Sequence, residues 1–173
     1  MAKKKAKPKE KGFYRQALDR VTKRLDGTGL PWPQKPKDYG SEYEFPADVE
    51  TLTSPKLGQL QARLAGWEGY ASRLLSLADI DLSLLQTSYD VALGQKMAEM
   101  QDNGNKGALK SVLTAQALAA EPALMKATYV LAEKRAMVSA LKAQRGIYAE
   151  QRQSLSREQS RRADVLRGRI GHD

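Results

Sequence analysis

The sequence predicts an all-α fold: a long antiparallel helical hairpin, coiled-coil-like, with a short linking helix between its arms. A short N-terminal helix and an extended Pro-rich linker precede it. Two apolar repeats carry this expectation, one from Ser54-Pro55 to about Gln101, the other from near Pro122 almost to the C-terminus. Composition agrees. Of 173 residues, 41% are hydrophobic but only 6% aromatic, and Ala and Leu supply much of the apolar content. Both are strong helix formers, which favours helix–helix packing over a sheet-based core. The length suits one domain with a modest core.

Residues 1–11 read as a disordered basic arm, because a run of lysines with almost no apolar surface cannot fold alone. Phe13, Ala17, Leu18, Val21 and Leu25 then recur at helical spacing, predicting a short amphipathic helix over 12–25 that Gly27 and Gly29 end. A linker over 26–53 follows. Pro31, Pro33, Pro36 and Pro46 remove backbone donors and fix φ, and Gly40 adds a further break. Trp32, Tyr39, Tyr43 and Phe45 lie among them and are expected to pin the linker to the helical body in preference to stacking on bases.

The hairpin domain is placed at 54–170. Ser54 offers a capping hydroxyl and Pro55 the first helical position. Leu57, Leu60, Leu64, Trp67, Ala71, Leu74 and Ala78 alternate by three and four, a heptad seam that Asp81, Leu85, Ser88 and Ala92 continue. Asp81 interrupts it and is expected to pair across the hairpin with Lys142 or Arg145. Gly58, Gly66, Gly69 and Gly94 predict bends or close helix approaches. Asp102-Asn-Gly-Asn-Lys-Gly107 breaks the first arm, and Leu109, Val112, Leu113 and Gln116 predict the linking helix, ended by Glu121-Pro122.

In the last helix Leu131, Val138, Arg145 and Arg152 lie seven apart, with Lys134, Leu141, Tyr148 and Leu155 as companions. A hydrocarbon seam cannot continue through arginines unless they are paired or exposed. The closed core is therefore expected in the half of the hairpin next to the turn. Past about residue 156, where Leu166 and Ile170 are the large apolar residues, the helix is expected to project or to meet a partner.

Net charge is +9, with +8 in residues 1–25 and +6 in residues 126–173, so the middle of the chain is slightly acidic. Basic ends attract polyanions, nucleic acid ahead of an anionic membrane surface. The candidate nucleic-acid-binding residues are Lys3, Lys4, Lys5, Lys7, Lys9 and Lys11 of the arm. The last helix adds Lys142, Arg145, Arg152, Arg157, Arg161, Arg162, Arg167 and Arg169, with Tyr148 placed to stack on a base. Little points to catalysis. Cysteine is absent, the one histidine is His172 beside the C-terminus, and Asp79 and Asp81 face different ways on a helix. With no phosphate loop, nucleophile elbow or metal-ligand spacing, the expectation is no enzyme, no cofactor and no metal. No apolar run of about 18 residues predicts a membrane span, and a basic N-terminus without an apolar segment behind it predicts a non-secreted, cytosolic protein.

Several stretches over residues 54–165 resemble the UvsY family of phage recombination mediators. They are a long first helix with Leu64-Ala-Gly-Trp67 early in it, then a Gly/Asn/Asp-rich turn, then Leu109-Lys-Ser-Val-Leu-Thr-Ala115, similar to the family's Lys-Thr-Val-Leu-Ser-Ala segment. The resemblance implies a homo-oligomeric helical protein in the host cytoplasm that binds single-stranded DNA. It also implies work with a RecA-like recombinase and a single-strand-binding protein, helping the recombinase to load. The family's Lys-x-Arg DNA motif late in the first long helix corresponds here to a region ending at Lys96, which supplies the one cation there. Two other readings stay open: a coiled-coil interaction protein without a nucleic-acid role (a phage assembly factor or an inhibitor of a host enzyme), and membrane-surface binding through the N-terminal helix.

Overall fold

A computed structural model describes residues 13–37, 44–102 and 107–170. The fold is the all-α hairpin. Its elements are α1 (Phe13–Asp26), a 3₁₀ turn at Val49–Thr51, α2 (Ser54–Asp102), α3 (Lys110–Ala120) and α4 (Pro122–Ile170), with α2 and α4 packed against each other. Among the described residues there is no strand. The arm at 1–11, Tyr39, Gly40, Tyr43, residues 103–106 of the turn and His172 lie outside the described residues, as do the side chains of Phe13, Arg169 and Ile170.

Helix boundaries follow local chemistry. The Gly27 N–H returns to the Lys23 carbonyl at 3.0 Å, and Gly29 takes a φ of +70° that ends α1 without a Cβ penalty. The first hydrogen bond of α2 runs from the Leu57 N–H to the Thr53 carbonyl at 3.0 Å. The cap position is therefore Thr53, one residue before the serine expected there, and Pro55 sits in the first turn, where a missing N–H leaves no bond unmade. Glu121 closes α3 by donating to the Ala117 carbonyl at 3.0 Å and opens α4 by accepting from the Leu124 N–H at 3.0 Å.

The chain divides into two compact units, Met1–Pro31 with Asp79–Arg135, and Trp32–Ala78 with Ala136–Asp173. In the first, Leu113, Ala117, Leu124 and Leu131 are buried. Asp81 is paired there with Lys134 at 2.5 Å, so the expected partners Lys142 and Arg145 are corrected. The reason is register, since Lys134 belongs to the companion row that faces α2.

The second unit holds the main core cluster: Leu57, Leu64, Trp67 and Ala71 of α2 with Tyr148 and Leu155 of α4. Leu75 and Val138 are buried there too. This corrects the expectation that only the turn-proximal half would close. Along α4 the buried line passes from Leu124, Leu131 and Val138 to Tyr148 and Leu155, so the companion row takes over before the arginine-bearing row reaches the core. A straight helix drifts about 20° per heptad against a 3.5-residue repeat, and α2 shows the same drift where Leu75 is buried in place of Leu74.

The linker adds a third layer to this unit. Phe45, Val49 and Leu52 pack on the cluster. The Glu50 N–H donates to Asp48 Oδ1 at 3.1 Å, which caps the 3₁₀ turn. The Arg73 guanidinium lies 5.5 Å over the Trp32 ring and donates to the Pro33 carbonyl at 3.3 Å. The expected pinning role thus holds for Trp32 and Phe45. Two of the four glycines approach the linker and not a helix: a Cβ at Gly66 would stand 3.4 Å from Pro36 and one at Gly69 3.5 Å from Pro33, ordinary contact distances, while one at Gly58 or Gly94 would meet nothing within 4 Å.

Candidate nucleic-acid interface

Of the α4 residues expected to touch nucleic acid, Tyr148 is a core residue. It is 7% exposed, and its ring lies 6.4 Å from that of Trp67 with 28° between the planes. Base stacking by Tyr148 is corrected on that ground, because the face a base would need is already covered. Sequence spacing missed this because Tyr148 occupies the row that becomes buried only after Val138.

Three arginines are engaged within the second unit. Arg152 Nε donates to Glu68 Oε2 at 2.8 Å, α4 to α2. Glu158, 7% exposed, accepts from Arg161 Nε at 2.7 Å and from Arg162 Nε at 2.6 Å, one turn ahead of it on the same helix. Arg162 also donates to the Glu50 carbonyl at 2.9 Å, fastening the 3₁₀ turn to α4. These arginines are expressed in the fold before any ligand arrives. Arg161 still shows about half of its side chain to solvent, at 54%.

The two guanidiniums set the acidity of Glu158. Hydrogen bonds from Arg161 and then Arg162 outweigh partial burial and hold its carboxyl at about 2, well below the usual carboxylate range. The same bond holds the Arg161 guanidinium above its ordinary value. A depressed carboxylate stabilises the fold above its unfolded value of about 4.5. That contribution fades as pH falls from there towards about 2. Glu158→Gln is accordingly expected to melt a few degrees below wild type at pH 7, with the gap narrowing across this acid window. Thermal melts followed by circular dichroism at several pH values check it; a gap that persists unchanged below pH 3 would remove the clamp as its cause.

Four α4 cations remain: Lys142, Arg145, Arg157 and Arg167 are exposed and have no ion-pair partner among the described residues. At 100° per residue they fall within a wedge of about 120° on the side of the helix away from Tyr148, Leu155 and Glu158. Asp164 lies inside that wedge and offsets one charge. At 1.5 Å per residue the row extends for about 38 Å. A line of cations on a straight helix can follow successive phosphates.

Lys96, the cation expected late in the first long helix, belongs to the first unit. Its ammonium is 2.9 Å from Glu99 Oε2, and the groove it lines also contains Glu121. The Glu99 hydrogen bond and charge raise the ammonium's pKa above the ordinary lysine value, so it holds its proton more tightly. An ammonium already beside two carboxylates is a poor anion site. The six arm lysines lie outside the described residues, and Arg169 lies at the end of α4 with its side chain also outside them.

No family model matches the chain, and no curated protein or solved structure matches it either.

Proposed function

We propose that this protein is a non-enzymatic, self-associating helical accessory protein that binds single-stranded DNA and helps a RecA-like recombinase to load in phage recombination and repair. It would act in the host cytoplasm, alongside a single-strand-binding protein. One observation supports the DNA limb above others: the exposed row Lys142, Arg145, Arg157 and Arg167, without acid partners among the described residues while neighbouring arginines are paired. The recombinase limb rests on the resemblance to the UvsY family carried by Leu64–Trp67 and Leu109–Ala115.

Fluorescence anisotropy with a labelled single-stranded oligonucleotide tests the DNA limb. Binding is expected at low salt, with affinity falling as a power of salt concentration because each phosphate contact releases counterions. Absence of binding at low salt ends this reading. A second reading, a coiled-coil interaction protein without a nucleic-acid role, is favoured by exposed apolar side chains on α4: Tyr129 at 70%, Met137 at 56% and Ile147 at 47%. A negative anisotropy result together with self-association would select it.

A further inference from the structure

In the first unit, α4 carries a second apolar line that the fold leaves uncovered. Tyr129 is 70% exposed and Met125, a turn earlier, 39% exposed. Ala132, three residues on, is exposed as well. This line lies about 110° around the helix from Leu124 and Leu131, which face the core. Steps of four and then three are those of a heptad seam, with Met125 and Ala132 at d and Tyr129 at a. Lys126 and Glu133 each follow a d residue and so occupy e positions at the edge of the seam. Both are exposed, and neither has an ion-pair partner among the described residues.

We propose that this face docks a second copy of the chain, antiparallel, with Tyr129 of each copy over Ala132 of the other. A large ring and a small residue three positions apart on one face make a self-complementary knob and recess, the requirement for a two-fold symmetric contact. Charge selects the direction. An antiparallel seam sets e against e, so Lys126 of each copy faces Glu133 of the other, and symmetry makes the pair twice. A parallel seam sets e against g, where Thr128 would meet Glu133 and leave it unpaired, and Lys126 would meet Glu121, which lies ahead of the first residue of α4 and already faces Lys96. Sliding the antiparallel pair by one heptad either way brings Glu133 against Glu133 or Lys126 against Lys126. One register therefore satisfies the charges.

Three seam residues per copy cover less than the roughly 800 Å² per partner of a standard interface, so the contact forms a weak, concentration-dependent dimer. This inference rests on the self-association in the reading above and is independent of its DNA contacts.

Sedimentation equilibrium of the full chain over a concentration series, without nucleic acid, tests it. Wild type is expected to pass from monomer to dimer. Tyr129→Asp is expected to weaken dimerisation at least about ten-fold, since it places a charge in the centre of the seam. Lys126→Glu and Glu133→Lys each set like charges face to face and should each weaken it several-fold. An equimolar mixture of those two variants should recover the wild-type constant, because every facing pair in the mixed dimer then has opposite sign. A mixture as weak as either variant alone overturns the register. Tyr129→Asp with an unchanged constant overturns the surface while self-association stands, and a wild type that stays monomeric overturns both. Should Tyr129→Asp lose helicity, the charge-reversal mixture decides, since both of its positions are exposed.

Discussion

Trp67→Ala is expected to cost about 3–5 kcal/mol of stability, the range for truncating a buried aromatic residue. Trp67 is 5% exposed, in the centre of the cluster that joins α2, α4 and the linker. Its ring meets Tyr70 edge-on at 6.3 Å and stacks with Tyr148 at 6.4 Å. Alanine removes both aromatic contacts and leaves a cavity that the two long helices cannot collapse into without losing Leu64 and Leu155 as well. Urea denaturation followed by helical circular dichroism measures the loss. Trp32→Ala is the comparison. Trp32 is only half-buried and lies under the Arg73 guanidinium, so its removal is expected to cost less, about 1 kcal/mol. Equal losses at the two tryptophans would mean that the core does not centre on Trp67.

That core was only partly legible in the sequence. The helix limits were legible to within about a residue, because Ser54-Pro55, Asp102 to Gly107 and Glu121-Pro122 act through local backbone chemistry that spacing alone reveals. Leu57, Leu64, Trp67 and Ala71 were likewise legible as one seam. The closure of the turn-distal half was not. Heptad counting follows a fixed row of positions, whereas α4 changes its buried row between Val138 and Tyr148, and a fixed row then assigns Arg145 and Arg152 to a core they never enter. The linker was legible only in part, through the pinning expected of its aromatic residues. Val49 and Leu52 have no helical period to announce them, yet with Phe45 they cover the part of the second unit that a two-helix seam leaves open. The ion pairs were beyond sequence reading for a related reason. Glu68 with Arg152 depends on the register between two helices, and the Arg162 bond to the Glu50 carbonyl depends on where a loop is laid down.

The pairing pattern divides the α4 cations into two sets that should respond oppositely to neutralisation. Replacing Lys142, Arg145, Arg157 and Arg167 together by glutamine removes four charges without partners among the described residues, so the melting temperature is expected to stay near wild type. Each phosphate contact on a single strand contributes about 0.7 to the slope of log affinity against log salt, so losing four should flatten that slope by up to roughly 3. Affinity at low salt should fall with it. Replacing Arg152 and Arg162 by glutamine strikes the other set. It breaks the bonds to Glu68, Glu158 and the Glu50 carbonyl, so it should lower the melting temperature. Glu68 and Glu158 would then be left with fewer counter-charges near the strand, while the slope changes less than in the four-residue variant. Melting curves and salt-dependent anisotropy on the same two preparations separate the outcomes. If the four-residue variant keeps the wild-type slope, the exposed row of α4 is not where phosphates bind. The reverse pattern, with the slope carried by Arg152 and Arg162, would mean that nucleic acid competes for arginines the fold already uses.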